Sequence, residues 1–459
     1  MRSLAESVWR DRLIGLGEAL PVLGGRRRPY VNLDNAATTP PLRSVVEAVG
    51  QFLPYYSSVH RGSGYKSRVS TAAYDEAHRT VARFVGADPD TAAVVFGKNT
   101  TEAVNKLSYR YPLPEDAVVL TTLMEHHSND LPWRARARVV RADVTPEGRL
   151  DEADFDRLLH LHRGRIALVT VSGASNVTGF VQPVHRLARK AHAAGARILV
   201  DAAQLAPHRA IDVRHPEDPE HLDFVALSAH KLYAPFGTGA LVGHRDVFLQ
   251  GAPEYRGGGT VDTVTADDVS WADVPDREEA GSPNVIGAVA LAAALQALHG
   301  SMEAIATHER ALTSYALRRL RRLPGVTVYG ETDPGRVDDR VGVIPFNLEG
   351  IPHGLVAAVL GFEEGIGVRN GCFCAQPYVA RLLGIGDART DGGGVRAGMV
   401  RLSFGAYNTS DDVDALVEAL ARIRHGDFRG RYDHGDDGSY APVGTQPESA
   451  CEVETLPVM

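Results

Sequence analysis

Short apolar runs separated by polar segments recur along the first two thirds of the chain. From residue 116 onwards these runs predict strands at 117–122, 165–172, 196–202, 223–228 and 239–243. Amphipathic spacing predicts helices near 130–138 and 183–194, between some of the strands. Strands that alternate with helices are joined by crossover connections, which produce a mostly parallel sheet covered by helices. The pattern therefore predicts an α/β fold.

A second pattern of helices and strands begins after residue 285. It predicts helices at 286–298, 302–322, 354–362 and 410–424, and strands at 325–329, 341–347, 366–370 and 400–404. This arrangement is typical of a smaller α+β domain.

These patterns divide the chain into four parts. We predict a large domain over residues 31–285 and a small C-terminal domain over residues 286–425. Residues 1–30 are predicted to form a helical arm that packs with the small domain. Residues 426–459 are polar and rich in Gly, Asp and Pro, which predicts a disordered tail.

Composition narrows the class of protein. The 459 residues are 44% hydrophobic and 23% charged, as in soluble globular proteins, and the net charge of −8 argues against nucleic-acid binding. No apolar run approaches the roughly 18 to 20 residues of a membrane span, and the N-terminus offers no signal-peptide core. Three cysteines cannot form a disulfide framework, which favours a cytoplasmic location.

Polar residues follow several of the predicted strands. In open parallel sheets, ligands bind beyond the carboxyl ends of the strands. The four strand-end segments are Glu125-His126-His127-Ser128-Asn129, Ser175-Asn176-Val177-Thr178-Gly179, Asp201-Ala202-Ala203-Gln204 and Ser228-Ala229-His230-Lys231. We therefore expect one ligand site at this edge of the sheet.

Lys231 stands at the end of an apolar run. Lysines are rarely buried without a partner, and covalent attachment to pyridoxal phosphate is one reason for such a position. An ordinary lysine at a strand end is the alternative.

A pyridoxal phosphate site also needs an acid at the pyridine nitrogen, a ring over the cofactor face and phosphate donors. The candidates are Asp201 for the acid, His126 for the ring, Gln204 and Asn176 for the phenolic oxygen and substrate, and Thr100, Thr101, Ser228 and His230 for the phosphate. Each residue could instead have a purely structural role. Asp201 and the two threonines suit helix N-caps, and His126 suits a surface loop.

The small domain supplies two arginines and a cysteine. Arg369 and Arg401 suit a substrate carboxylate because the guanidinium binds both oxygens, although either residue would also suit a structural ion pair. A loop cysteine near a cation, such as Cys374, would be partly thiolate and nucleophilic. Cys372 and Cys374 lack a second ligand pair at zinc spacing, so no metal is predicted.

The motifs together resemble the class V aminotransferase-fold enzymes, most closely the cysteine desulfurase and selenocysteine lyase branch. The resemblance runs from about residue 31 to 420. Besides the strand-end segments it rests on Leu33-Asp34-Asn35-Ala36-Ala37-Thr38-Thr39, His60-Arg61-Gly62, Asn99-Thr100-Thr101-Glu102, Arg256-Gly257-Gly258-Gly259, Ala280-Gly281-Ser282-Pro283-Asn284, Arg369-Asn370-Gly371, Cys374-Ala375-Gln376-Pro377 and Ala406-Tyr407-Asn408-Thr409.

The resemblance implies the pyridoxal-phosphate-dependent transferase fold of the aspartate aminotransferase type (fold type I) and a role for each candidate. Lys231 would bind the cofactor covalently, Asp201 would hold the pyridine nitrogen, His126 would stack on the ring and Gln204 would contact the phenolic oxygen. The phosphate would be held by Thr101, Ser228 and His230, with Ser282 of a second subunit in a homodimer. Arg401 would bind the substrate carboxylate, helped by Asn176 and Arg369.

The implied activity is that of a cysteine desulfurase. L-cysteine would become L-alanine, with the sulfur passed to Cys374 as a persulfide and then to a thiol or an acceptor protein. The alternative is another class V enzyme, namely a selenocysteine lyase, C–S lyase, aminotransferase or epimerase. A scaffold that had lost catalysis would be expected to lack Lys231 or Asp201.

The chain departs from the family pattern at three places. Cys372-Phe373 stands where the family commonly has histidine before the reactive cysteine, and Asn370 stands where it has threonine. A Gly-rich stretch at 386–394 is an insertion close to the site.

Overall fold

The computed structural model describes residues 7–385, 397–435 and 438–443. The strands are β1 (Ala19–Val22), β2 (Arg26–Pro29), β3 (Val31–Asn32), β4 (Ala92–Gly97), β5 (Val118–Thr122), β6 (Arg138–Ala142), β7 (Ile166–Ser172), β8 (Arg197–Asp201), β9 (Phe224–Ser228), β10 (Gly239–His244), β11 (Val261–Val264), β12 (Val269–Trp271), β13 (Val326–Val328), β14 (Val343–Leu348), β15 (Ile366–Gly367), β16 (Arg369–Gly371), β17 (Met399–Ser403), β18 (Arg431–His434) and β19 (Tyr440–Val443). The helices are α1 (Arg43–Phe52), α2 (Tyr65–Phe84), α3 (Thr100–Arg110), α4 (Leu131–Arg134), α5 (Glu152–Leu161), α6 (Val184–Ala193), α7 (Asp246–Leu249), α8 (Val285–Leu298), α9 (Met302–Arg321), α10 (His353–Glu364), α11 (Gln376–Leu383) and α12 (Ser410–Arg424).

A seven-stranded sheet forms the centre of the large domain, in the order β4-β10-β9-β8-β7-β5-β6. The five strands from β9 to β6 run parallel, whereas β10 is antiparallel to both of its neighbours. The parallel strands are rich in Val, Ile and Leu because helices cover both faces of such sheets. The predicted α/β fold class with a mostly parallel central sheet is confirmed.

A four-stranded antiparallel sheet, in the order β13-β14-β17-β16, forms the small domain. Helices α9, α10 and α12 contribute to a separate hydrophobic cluster around it. Strand β3 pairs in parallel with β15, and Leu33 is buried in the same cluster, so residues 31–33 belong with the small domain.

The predicted boundary at residue 285 lies too early in the chain. Helix α8 packs against α1 and α2, and its Leu291 and Leu295 lie in the cluster beneath the large sheet. The small-domain cluster takes residues of α9 from Leu312 onwards. The domains therefore divide within α9.

The N-terminal arm contains a β-hairpin, so the helical arm predicted over residues 1–30 is wrong for the part that the structure describes. Pro21 lacks the amide hydrogen that a helix needs, and Gly24 and Gly25 have φ values of 84° and 71° in the turn between β1 and β2. The hairpin contacts the small domain: the Leu23 N–H donates to the carbonyl of Phe362 at 2.6 Å.

Part of the predicted disordered tail is ordered. Strands β18 and β19 form an antiparallel hairpin, and the amides of Arg429 and Gly430 donate to the buried Glu363 carboxylate at 2.9 Å. The order of this segment could not be predicted from composition, because the segment is held by a carboxylate more than sixty residues earlier in the chain. Residues 444–459, with Cys451, lie outside the described residues.

Within the described ranges, no single helix has the length and apolar character needed to cross a membrane. Helices α8 and α9 satisfy those criteria only as a pair, and they meet at 74°.

Candidate active site

A cavity of about 260 Å³ lies beyond the carboxyl ends of the parallel strands. The predicted site residues that line it are Thr100, Thr101, His126, Asn176, Asp201, Gln204, Ser228, His230, Lys231, Arg369, Cys374 and Arg401. The large and small domains both contribute to its wall. Ser282 lines a different cavity, together with His60 and Asp276.

Lys231 enters the cavity from a single helical turn that follows β9. Burial lowers the pKa of Lys231 to about 8, and the positive charge of Arg401 acts in the same direction. The negative charges of Asp201 and Cys374 oppose this shift. A larger fraction of this amine is therefore neutral near pH 7 than of an ordinary lysine, which suits a nucleophile or base.

Asp201 is the last residue of β8 and is buried. Burial raises its pKa, while the Ala203 N–H, which donates to Oδ1 at 2.9 Å, and the charge of Lys231 favour the ionised form. Asp201 is not a helix N-cap, because the next element after β8 in the described chain is strand β9. A carboxylate at this depth suits a cationic ring nitrogen.

His126 follows β5 and is held by the loop that it begins. The Ser128 N–H donates to His126 Nδ1 at 3.1 Å, which places the hydrogen of the neutral ring on Nε2. Burial lowers the pKa of His126 to about 3, and the charges of Lys231, His127 and Arg401 add to this effect. The ring is therefore neutral at physiological pH and suited to stacking on a flat ligand.

The opposite end of the cavity is suited to an anion. Helix α3 begins there, and Asn99 is its N-cap, so the expectation that a threonine caps this helix is wrong. The Thr100 and Ser228 hydroxyl oxygens are 2.8 Å apart, and Thr101 Oγ1 is 2.7 Å from Ser128 Oγ. A helix N-terminus surrounded by hydroxyl groups is a favourable environment for phosphate.

Arg401 is buried in the middle of β17. Its Nη1 donates to the Asn176 carbonyl at 2.9 Å and its Nη2 to Asp34 Oδ1 at 2.9 Å. Burial lowers its pKa, Asp34 opposes that shift, and Arg369 on the neighbouring strand reinforces it. Arg401 Nε is buried without a hydrogen-bond partner among the described residues. The guanidinium therefore keeps a donor for a further anionic group.

Cys374 lies in a tight loop between β16 and α11 and is exposed. Phe373 and Cys374 have φ values of 53° and 55°, a left-handed conformation that costs of order 1–3 kcal/mol for each non-glycine residue. The conformation is held from the large domain: Asn176 Nδ2 donates to the Phe373 carbonyl at 2.7 Å, and the His127 N–H donates to the Cys374 carbonyl at 2.8 Å. The loop thus presents the thiol at the mouth of the cavity.

Two residues that contribute to the site, Asp34 and Phe373, were not predicted from the sequence. Asp34 holds Arg401, and the Phe373 ring lies 4.9 Å from the Arg401 guanidinium. Cys372 donates to the carbonyl of Ala397 at 3.2 Å. The Gly-rich stretch at 386–394 lies outside the described residues.

These residues fit pyridoxal phosphate. The cavity holds a lysine of lowered pKa, a buried carboxylate, a neutral imidazole and a phosphate-binding end, which are the groups that this cofactor requires. Gln204 Nε2 donates to the Ala36 carbonyl at 2.6 Å, which keeps its side chain at the cavity wall.

A family model for aminotransferase class-V matches residues 31–416. The cysteine desulfurase of Haloferax volcanii is 38% identical over 407 residues, which cover 86% of this chain and 90% of the relative. The cysteine desulfurase of Dickeya dadantii is 37% identical over 409 residues, which cover 86% and 92%. Among solved structures, the apo cysteine desulfurase of Thermococcus onnurineus aligns with a TM-score of 0.77 and 31% identity, over 86% of this chain and 95% of that one. The S-sulfonic acid form of an Escherichia coli cysteine desulfurase aligns with a TM-score of 0.76 and 32% identity, over 91% and 98%.

Proposed function

Because the chain belongs to the aminotransferase class-V family, we propose that it is a pyridoxal-phosphate-dependent cysteine desulfurase. It converts L-cysteine to L-alanine and passes the sulfur to Cys374. The observation that carries this assignment is the position of Cys374. This residue is exposed and lines the same cavity as Lys231 and Asp201.

The large domain would hold the cofactor. The hydroxyl groups of Thr100, Thr101 and Ser228 and the ring of His230 would bind its phosphate, Asp201 would keep its pyridine nitrogen protonated, and Gln204 and His126 would contact the cofactor from the same cavity wall. Bound pyridoxal phosphate supplies an electron sink for charge that develops at the α-carbon of the substrate. Lys231 removes the α-proton, because its amine has the lowered pKa that a base at neutral pH needs.

The small domain orients the substrate. Arg401 binds the α-carboxylate through the Nε that has no hydrogen-bond partner in the described part of the chain, and Asp34 and the Asn176 carbonyl fix the plane of its guanidinium. Arg369, the partner of Arg401 across β16 and β17, adds positive charge at the same wall. Asn176 also fixes the Phe373 carbonyl, so one side chain connects the substrate subsite to the Cys374 loop.

Cys374 then receives the sulfur. Its thiolate attacks the sulfur of bound cysteine, the new S–S bond forms as the C–S bond breaks, and the electron pair left on the β-carbon takes up a proton. Lys231 returns a proton to the α-carbon, so the products are alanine and a persulfide on Cys374. A thiol or an acceptor protein removes the outer sulfur by exchange.

The proposal extends to assembly and location. We place Ser282 at the phosphate of a second subunit in a homodimer, because within one chain it lines a separate cavity. A cytoplasmic location agrees with the need for a reduced, nucleophilic Cys374.

Replacing Arg401 with lysine is expected to raise the KM for L-cysteine by about 10- to 150-fold, the equivalent of one charge-assisted hydrogen bond of about 1.5–3 kcal/mol. Lysine keeps the positive charge, but it lacks the planar guanidinium that can contact Asp34 and the substrate at the same time. Steady-state kinetics measure this change. The variant Arg381→Lys, at an exposed arginine on α11, is the control and should keep the KM of the unchanged protein.

The reaction itself is tested by product analysis. The protein loaded with pyridoxal phosphate is incubated with L-cysteine and a reducing thiol, and alanine, sulfide and pyruvate are quantified. Equal amounts of alanine and sulfide are expected. Pyruvate and ammonia in place of alanine would instead assign a C–S lyase, and an absence of turnover would leave only the fold and the cofactor.

A further inference from the structure

Three histidines surround one buried carboxylate at the edge of the large sheet opposite the active-site cavity. His192 lies in the last turn of α6, His221 precedes β9, and His244 ends β10. Because β10 is antiparallel to β9, its end meets the start of β9, where Asp223 lies with only 3% of its side chain exposed. These four residues are called the histidine cluster below.

The contacts within the histidine cluster all converge on Asp223. His192 Nε2 is 2.8 Å from Oδ2, His221 Nε2 is 3.3 Å from Oδ1, and His244 Nε2 is 3.4 Å from Oδ1. The ligand atoms of His192, His221 and Asp223 all lie within 4.8 Å of one another.

Backbone carbonyls fix which ring nitrogens carry hydrogen. His192 Nδ1 is 2.8 Å from the Pro219 carbonyl, and His221 Nδ1 is 2.7 Å from the Asp218 carbonyl. A carbonyl only accepts, so both Nδ1 atoms must donate. When these two rings are neutral, each Nε2 carries a lone pair and no hydrogen. Each Nε2 therefore faces a carboxylate oxygen of Asp223 as one hydrogen-bond acceptor facing another. A positive charge, either a proton or a metal ion, is needed between them.

Protons satisfy this arrangement poorly. The His192 and His221 rings are stacked, with centroids 4.2 Å apart and planes 20° apart, so protonation of both would place two cations face to face. Protonation of His192 alone leaves the His221 lone pair opposed to Asp223. The nearby Arg197 guanidinium, 3.8 Å from Asp223 Oδ1, is already engaged by Asp246 at 2.7 Å.

A metal ion satisfies His192, His221 and Asp223 at once, because it binds neutral imidazoles and a carboxylate together. Zn²⁺ binds imidazole nitrogen and carboxylate oxygen at about 2.0–2.2 Å, which in a tetrahedral site separates neighbouring ligand atoms by about 3.3 Å. The His221 and His244 separations from Asp223 Oδ1 have that length, whereas His192 Nε2 lies closer to the carboxylate, 2.8 Å from Oδ2. Hydrogen bonds from Nδ1 to carbonyls are also the usual outer contacts of metal-bound histidines. A cavity of about 740 Å³, lined by His221, Asp223 and His244, gives access from solvent.

We propose that the histidine cluster binds one Zn²⁺ ion, or a divalent transition-metal ion of similar chemistry. The ion connects α6, the loop before β9 and the end of β10, on the side of the sheet away from the active-site cavity. Its role is therefore structural. The sequence pattern indicates only the cysteine pair as candidate metal ligands, because the four cluster residues are spread over more than fifty positions and show no zinc spacing.

The test is calorimetric titration of the holoenzyme with ZnCl₂ after removal of metals by chelation. One ion per chain is expected to bind besides any that the cysteine thiols take up, and His221→Gln and His192→Gln are each expected to weaken the binding of that ion by at least about 10-fold. His215→Gln is the matched control, because His215 lines the same cavity but is 75% exposed and outside the cluster. Zinc binding by the cysteine thiols is the same in the unchanged protein and in the three variants, so it cancels when they are compared. Titration with Co²⁺ gives a second readout, since tetrahedral coordination produces strong visible absorption that the His221→Gln variant should lose.

Circular dichroism and cofactor content confirm that each variant is folded before it is titrated. The proposal is overturned if the unchanged protein binds no zinc, or if His221→Gln, His192→Gln and His215→Gln bind it equally well. In either case the histidine cluster would be held by protons alone.

Discussion

Replacing Cys374 with alanine is expected to lower the rate of alanine formation from L-cysteine by at least about 10³-fold, in line with the loss of other enzyme nucleophiles. In the proposed reaction the thiol accepts the sulfur, so without it the C–S bond of the substrate has no acceptor inside the protein. The proposed cofactor contacts come from other residues that line the cavity, namely Lys231, Asp201 and the hydroxyl groups at the start of α3. Bound pyridoxal phosphate, followed by its visible absorbance, should therefore stay at the level of the unchanged protein.

Cys372→Ala provides the matched control. Cys372 lies two residues away in the same loop, but its Sγ contacts the Ala397 carbonyl, so this variant should keep activity and persulfide formation. Labelling of the persulfide after one turnover distinguishes the two cysteines. Full activity of Cys374→Ala would mean that sulfur leaves by elimination or by direct attack of free thiol, and the assignment of Cys374 would be wrong.

The sequence predicts the catalytic edge of the large sheet well, because the strands that build it are strongly apolar and end in polar motifs. Strands β5, β7, β8 and β9 were predicted, and each lies within the predicted range. Asp201 ends β8 and Lys231 follows β9, and these two strands are neighbours in the sheet. The rule that ligands bind at carboxyl ends therefore predicts that both residues share one site.

The strands at the two edges of that sheet were not predicted. Strand β6 carries Arg138 and Arg141 among its five residues, and its start overlaps the helix predicted at 130–138. Only one face of an edge strand needs to be apolar over a few residues, so its pattern is weak. Strand β4 lies at the other edge and pairs only with β10 within the described part of the chain.

The loop that carries Cys374 was predicted in position but not in conformation. Two successive non-glycine residues at positive φ are disfavoured locally, and nothing in Phe373 or Cys374 indicates them. The conformation depends on Asn176 and His127, which are about two hundred and two hundred and fifty positions earlier in the chain. Tertiary hydrogen bonds of this kind overcome local preference, and they are not visible in a sequence.

Replacing Lys231 with alanine is expected to lower kcat/KM for L-cysteine by about 10⁴-fold or more, the upper range for loss of a general acid or base. The variant loses the residue that we propose both binds the cofactor covalently and moves the α-proton. Asp201 and the phosphate-binding end remain, so pyridoxal phosphate should still bind but should be removable by dialysis. Exchange of the α-hydrogen of cysteine with deuterated solvent, followed by NMR, isolates the proton-transfer step.

Lys231→Arg separates the charge of Lys231 from its chemistry. Arginine keeps the positive charge opposite Asp201, but it stays protonated and so cannot act as a base. If Lys231 is the base, both variants should lose α-hydrogen exchange. If its charge alone matters, the arginine variant should retain most of it. Lys190→Ala, which removes a surface lysine paired with Glu152 and Asp156, should change neither exchange nor cofactor retention. Exchange that continues in both Lys231 variants would require a different base in the cavity, and His126, whose pKa of about 3 leaves it neutral, would be the first residue to replace.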